Sequence, residues 1–197
     1  MKKIMFSDAY NLTEAVLSGR KTQTRRIVTK DTPLGSWKQT EAKAHYKVGE
    51  IVAVAQSYKN IVERIAKKGY DAAKWMDEHR ITKNLAGWLN KMFVKASLMI
   101  FKVRITNVRV ERLQEISDED CIAEGVEIVE SFYQPANGNK QQVNYYRVPI
   151  YCKSGRVLML TGDTPREAYA ILIDRIAGKG TWQSNPYVFV YDFELLK

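Results

Sequence analysis

Blocks of apolar and polar residues along the chain predict its elements. Lys3–Phe6 reads as a short strand. Asn11-Leu12-Thr13-Glu14 has the form of a capping box, with Asn11 as N-cap and Glu14 three residues on. Leu12, Ala15 and Val16 then mark one face of a helix, and Gly19 is suited to the left-handed position that stops it. The segment His45–Glu50 reads as a turn into a strand. The run Ile51–Ala55 that follows is apolar without interruption, which fits a strand buried on both faces, as in a small barrel.

Residues 59–91 change character. Ile61, Ile65, Trp75, Met76, Trp88 and Leu89 are scattered among Lys and Arg, and Gly69 and Gly87 break the period. This predicts two or three short helices inserted between strands, presenting either a nucleic-acid contact or a solvated face with apolar anchors. Phe101, Val103 and Ile105 then alternate with polar residues as a strand does. The phase flips at Asn107, with Val108 and Val110 apolar, which predicts a bulge or turn there.

Ser117 opens another helix as N-cap, with Asp118, Glu119 and Asp120 at the positive end of the dipole, Ile116 and Cys121 spaced as a staple, and Gly125 as the stop. Residues 127–162 read as irregular strands around a turn at Ala136–Asn139. Thr164-Pro165-Arg166-Glu167 is the strongest helix start in the chain. Tyr169, Leu172, Ile173 and Ile176 follow at helical spacing, and Gly178 ends the helix. Tyr187, Phe189, Tyr191 and Phe193 alternate with Val188, Val190, Asp192 and Glu194 as a closing strand, its aromatic stripe reading as core rather than as a stacking platform. No internal repeat or domain boundary is visible, so a single domain spanning residues 1–197 is expected.

Composition adds a direction. The 31 Lys and Arg exceed the 22 Asp and Glu, a net charge of +9, which favours polyanionic partners such as nucleic acid, nucleotides or acidic membrane surfaces. The two cysteines, Cys121 and Cys152, cannot make a disulfide framework. With only His45 and His79 beside them at no ligand spacing, no metal site is expected. No cofactor motif is present. The N-terminal apolar run is too short for a signal peptide and no stretch has the length of a membrane span, so a cytoplasmic protein without a membrane partner is expected.

Three places carry candidate chemistry. Gly19–Arg26 holds Arg20, Lys21, Arg25 and Arg26 with Thr22, Gln23 and Thr24 between them. It reads either as a phosphate-binding loop or as an exposed basic edge strand; it lacks the glycine spacing of a Walker loop. Glu124, the last residue before the Gly125 stop, puts a carboxylate at the negative end of a helix, a mildly unfavourable place. In Gly178–Pro186, two glycines allow close backbone approach and Trp182 offers a stacking face, or else plugs the end of the core.

Together these pieces resemble the ASCH family. The matching text is Leu17–Arg26 (LSGRKTQTRR), Tyr46–Glu50 (YKVGE), Arg104–Gly125 (RITNVRVERLQEISDEDCIAEG) and Gly178–Phe193 (GKGTWQSNPYVFVYDF), in the expected order over nearly the whole chain. The likeness is closest to the phage and prophage type. It implies an α+β fold, a PUA-like small β-barrel flanked by helices, here with a helical insertion at about 59–91. It implies a basic cleft for RNA or nucleotides, with Arg20, Thr22, Arg25, Arg26, Lys179, Trp182 and Asn185 as binding residues. Some small bacterial members hydrolyse N4-acetylated cytidine with a Lys, a Thr and a Glu, which fall here on Lys21, Thr24 and Glu124. The chain departs from close relatives after the Val-Gly-Glu turn: Ala53-Val54-Ala55-Gln56 stands where Trp, Arg and Glu are frequent. Two functions are therefore expected as alternatives, an RNA- or nucleotide-binding module and an amidohydrolase acting on N4-acylated cytidine-type nucleosides. In a regular strand Lys21 and Thr24 point to opposite faces, so the second needs the chain to turn after Gly19.

Overall fold

The structure is a computed structural model and describes residues 1–134, 138–139, 141–152 and 154–196. The strands are β1 (Lys3–Ile4), β2 (Gln23–Ile27), β3 (Ile51–Val54), β4 (Lys102–Arg112), β5 (Glu127–Tyr133), β6 (Gln141–Tyr151), β7 (Val157–Gly162) and β8 (Tyr187–Leu196). The helices are α1 (Leu12–Leu17), α2 (Trp37–Ala42), α3 (Tyr58–Lys67), α4 (Ala72–Glu78), α5 (Asp118–Ala123), α6 (Pro165–Ala177) and α7 (Thr181–Ser184). The fold is mixed α+β, with one five-stranded and one three-stranded sheet, in keeping with the expected class. No helix among the described residues is long and apolar enough to cross a membrane.

Contacts divide the chain into two units, one built on Met1–Phe6 and Ile51–Arg104, the other on Ser7–Glu50 and Ile105–Leu195. In the first, β1 pairs in parallel with β3, and β3 pairs antiparallel with the start of β4. The apolar run of β3 is buried on both faces as expected, from Val52 through Ala55. The predicted short helices are α3 and α4, followed by two 3-10 turns at Lys91–Phe93 and Ala96–Leu98. Ser57 caps α3 by accepting from the Asn60 N–H, and Asp71 caps α4 by accepting from the Lys74 N–H. Tyr58, Ile61, Ile81, Val94 and Met99 close over Ala53 and Ala55 as this unit's core. Gln56, in the stretch that departs from the ASCH pattern, is buried there with neither amide atom hydrogen-bonded among the described residues.

In the second unit β2 pairs antiparallel with β8, Thr24 opposite Tyr191 and Arg26 opposite Phe189. The separate sheet is a β5-β6-β7 meander. The expected turn at Ala136–Asn139 involves Ala136 and Asn137, which lie outside the described residues. Thr164 caps α6 by accepting from the Glu167 N–H. Tyr169, Leu172 and Ile173 are buried from its apolar face, whereas Ile176, predicted with them, is 40% exposed. Ser117 caps α5 as predicted.

Two local expectations are corrected. Asn11 precedes α1 but makes no side-chain cap, because it sits in the left-handed region (φ 56°) as the end of a 3-10 turn at Asp8–Tyr10. There is no turn at Asn107 either, since β4 runs unbroken through it. The apolar phase stops because Asn107, Arg109 and Glu111 continue the face of Ile105 as polar residues, and all three bond to the charged groups described below.

Gly87 sits where a side chain would not fit. A Cβ there would come 2.5 Å from the ring of Tyr58, whose own N–H donates to the Gly87 carbonyl. Tyr58 is buried and cannot swing away. Gly87→Ala is therefore expected to lower unfolding free energy by roughly 1–3 kcal/mol in urea titration; a wild-type midpoint would contradict this packing.

Candidate functional site

The Gly19–Arg26 segment is not an exposed basic patch. Gly19 turns the chain out of α1 at φ 77°. The Lys21 N–H donates to the Ala15 carbonyl and the Thr22 N–H to the Ala123 carbonyl, so the segment is pinned between α1 and the end of α5 before β2 starts. Lys21, Gln23, Thr24 and Arg25 are all buried.

Lys21 and Glu124 meet. The Lys21 Nζ donates to Glu124 Oε2 at 2.5 Å, to the Glu124 carbonyl at 2.7 Å and to the Gln23 carbonyl at 2.6 Å. Burial pushes the Lys21 ammonium down to about 8, with the Glu124 carboxylate opposing that shift. Arg25, whose side chain is completely enclosed, reaches Glu111 at 2.6 Å, Asp120 at 2.7 Å and Glu124 at 3.3 Å. Desolvation works against its charge, but the surrounding carboxylates, Glu124 first, outweigh it and raise its pKa. Gln23 bridges Asp120 and Asp192 through its amide nitrogen and accepts from Arg25. Arg109 binds Glu111, Asp120 and Asp192. The cluster thus sets Lys21, Arg25 and Arg109 against Glu111, Asp120, Glu124 and Asp192, one more anion than cation. The odd position of Glu124 has its cause here: two buried cations outweigh the helix dipole.

Thr24 does not join them. Alternation along β2 puts Gln23 and Arg25 on the network side and Thr24 with Arg26 on the other. Of the three residues matched to the hydrolase motif, two converge and the third faces away.

Arg26 leads to the second feature. It lines a pocket of about 330 Å³ with Thr29, Thr32, Lys43, His45, Tyr46, Phe189 and Tyr191. The rings are ordered against each other: Tyr46 lies edge-on to Tyr191 at 5.1 Å and to His45 at 4.6 Å. The His45 N–H donates to Tyr191 Oη at 3.0 Å. Burial pushes the Tyr46 hydroxyl up to about 12, so it stays protonated and able to donate. Sequence reasoning reached Arg26 but missed Lys43, His45, Tyr46 and Tyr191 as partners, because they come together only through the β2–β8 pairing and the chain before β3.

The remaining candidates serve mainly structure. Arg20 donates to the Gly125 carbonyl at 2.8 Å and pairs with Glu127 at 3.2 Å. Thr22 is exposed and uses its main chain to bridge α5 and β8. Trp182 stands edge-on to Tyr169 and donates its backbone N–H to Asp174, and the backbone donors of Trp182 and Gly180 hold the Asp174 carboxyl below its ordinary range. Asn185, left-handed at φ 44°, accepts from Gln114 N–H through its side chain and from Arg112 through its carbonyl. Lys179 is exposed on the connecting turn. Burial pushes the Cys121 thiol up to about 12, which makes it inert, and no group of metal-ligating side chains occurs among the described residues.

The network should govern acid stability. Burial opposes the charge of Asp120, but hydrogen bonds from Arg25 and Gln23 win and hold its carboxyl below the usual range. Its contribution is therefore present above the ordinary carboxylate value and lost as pH falls from roughly pH 4 through the lower folded value. Arg25→Met, which leaves three carboxylates without their shared cation, should cost roughly 3–5 kcal/mol at neutral pH and flatten the acid limb. Urea titrations across a pH series measure both; an unchanged acid limb would contradict the assignment.

A comparison of the chain with protein-family models, with curated proteins and with solved structures finds no match in any of the three.

Proposed function

We propose that this chain is a nucleotide- or RNA-binding protein of the PUA-like, ASCH type, and that its ligand sits in the pocket beside Arg26. The observation that carries this reading is the pocket's composition. Arg26 and Lys43 supply cations for phosphate, Thr29 and Thr32 supply hydroxyls, and Tyr46, Phe189 and Tyr191 supply aromatic surface for a base. Its volume is at the small end of ligand pockets, which span ~300–1,000 Å³, and suits one nucleotide unit. Arg25 takes no part, being enclosed among carboxylates. Arg26→Gln should weaken binding of a uridine or cytidine monophosphate at least about tenfold, the worth of one charge-assisted hydrogen bond, by calorimetry. Wild-type affinity in that variant, or no mononucleotide binding at all, would refute the pocket.

One observation favours the amidohydrolase as a second reading: a lysine buried against a glutamate at 2.5 Å, its ammonium lowered to about 8 and so closer to a proton-accepting role at neutral pH. On this reading the Thr24 hydroxyl, brought round from the opposite side of β2, attacks the acetyl carbonyl and gives its proton to Lys21, which Glu124 orients; Lys21 passes the proton to the departing N4 amine, and water then hydrolyses the acetyl ester to free Thr24 and acetate. Acetate release from N4-acetylcytidine tests it. Loss of release in Lys21→Ala supports the reading, and equal rates in wild type and variant defeat it.

A further inference from the structure

The net charge that suggested polyanionic partners lies elsewhere than Gly19–Arg26. Residues 1–6 and 51–104 hold 13 Lys and Arg against 4 Asp and Glu, which accounts for the whole +9; the rest of the chain has 18 of each. Within this unit Lys3 donates to the carbonyls of Lys91, Met92 and Val94, and Lys91 to the Phe6 carbonyl. Three of the four acids are also engaged: Glu63 with Lys59 at 3.8 Å, Glu78 with Lys74 at 4.0 Å, and Asp71 as the cap of α4.

The excess gathers at the end of α3. Arg64, Lys67 and Lys68 lie at three- and four-residue spacing, so they share one side of the helix. Arg64 and Lys68 both stand over the Phe101 ring, at 5.4 and 5.9 Å. Beside them opens a groove of about 540 Å³ lined by Ile65, Ile100, Tyr70, Trp75 and Lys74. Ile65 and Ile100 are the chain neighbours of Arg64 and Phe101, so the groove starts where the cations end. Tyr70 is 69% exposed on its edge. Asp71 and Glu78 also line it and would repel a phosphate inside, which leaves the groove for an uncharged base and the cationic rim for phosphates.

We propose that this unit grips single-stranded nucleic acid, with backbone phosphates on Arg64, Lys67 and Lys68 and a base in the groove against Tyr70 and Trp75. A duplex would keep its bases out of such a groove, whereas a single strand offers both faces of each base for stacking. An anionic membrane is less suited, because the apolar face of α3, with Tyr58 and Ile61, is already packed on the unit's own core. The groove shares no lining residue with the Arg26 pocket, and the proposal stands or falls without it.

The test is fluorescence anisotropy of labelled oligo-U and oligo-dT over a salt series. The wild type should bind both, with affinity falling steeply as salt rises. The Arg64→Gln/Lys67→Gln/Lys68→Gln variant should lose roughly 100-fold at 0.1 M salt and about 2 from the magnitude of the log–log salt slope, at ~0.7 per phosphate contact. Arg64 is half-buried, so Lys67→Gln/Lys68→Gln serves as a milder variant, expected to lose about 20-fold on the same scale. Circular dichroism melting checks that both stay folded. Unchanged affinity and slope in the Lys67/Lys68 variant would overturn the proposal, as would tighter binding to phosphatidylserine vesicles than to either oligonucleotide. Loss of mononucleotide binding in Arg26→Gln is a separate readout, so the two sites can fail independently.

Discussion

Glu124 ends α5 where a carboxylate is least welcome, and it is held there by Lys21 and Arg25. Much of the second unit depends on that contact. Burying two cations is tolerable only if their hydrogen-bonding capacity is met by charged or carbonyl acceptors. Arg25 therefore draws Glu111 from β4 and Asp120 from α5, while Gln23 and Arg109 bring in Asp192 from β8. One set of ion pairs ties β2, β4, α5 and β8 together. It also explains why β4 changes from an apolar to a polar face without any break in the strand.

That constraint gives Gly19–Arg26 its role. A segment that composition presents as a basic surface is, for most of its length, the inside of a wall. β2 separates two environments: a saturated ion network on the side of Gln23 and Arg25, and on the side of Thr24 and Arg26 a pocket with aromatic rings. Groups whose donors and acceptors are satisfied by each other make a rigid support. A pocket with hydroxyls, cations and aromatic edges at its surface is better suited to exchanging ligands. The excess of positive charge lies instead in residues 1–6 and 51–104, with 13 Lys and Arg against 4 Asp and Glu.

The elements were legible in the sequence wherever one local rule decides. Thr164 with Pro165 started α6, Ser117 started α5, and the apolar run at Ile51–Ala55 supplied β3, buried on both faces from Val52 onward. Asn11 misled because the preceding 3-10 turn fixed its backbone first, a constraint that a four-residue pattern does not contain. At Asn107 the turn does not occur, because a change of apolar phase also arises where the environment of a continuous strand becomes polar. The convergence of Lys21 with Glu124 was readable as an oddity of dipole and motif. The burial of Arg25 was not, since its partners lie at long range in sequence. Lys43, His45, Tyr46 and Tyr191 carried no local signal of a shared pocket.

The proposed nucleotide would enter on the Arg26 side of β2 and not on the Lys21–Glu124 side. Backbone and side-chain NMR shifts, followed while a pyrimidine monophosphate is titrated in, test it most directly. The account predicts shifts concentrated at residues 26–32, 43–46 and 189–191, with Lys21 and Glu124 little changed. Large shifts at Lys21 and Glu124, with the Tyr46 and Tyr191 resonances unmoved, would contradict it.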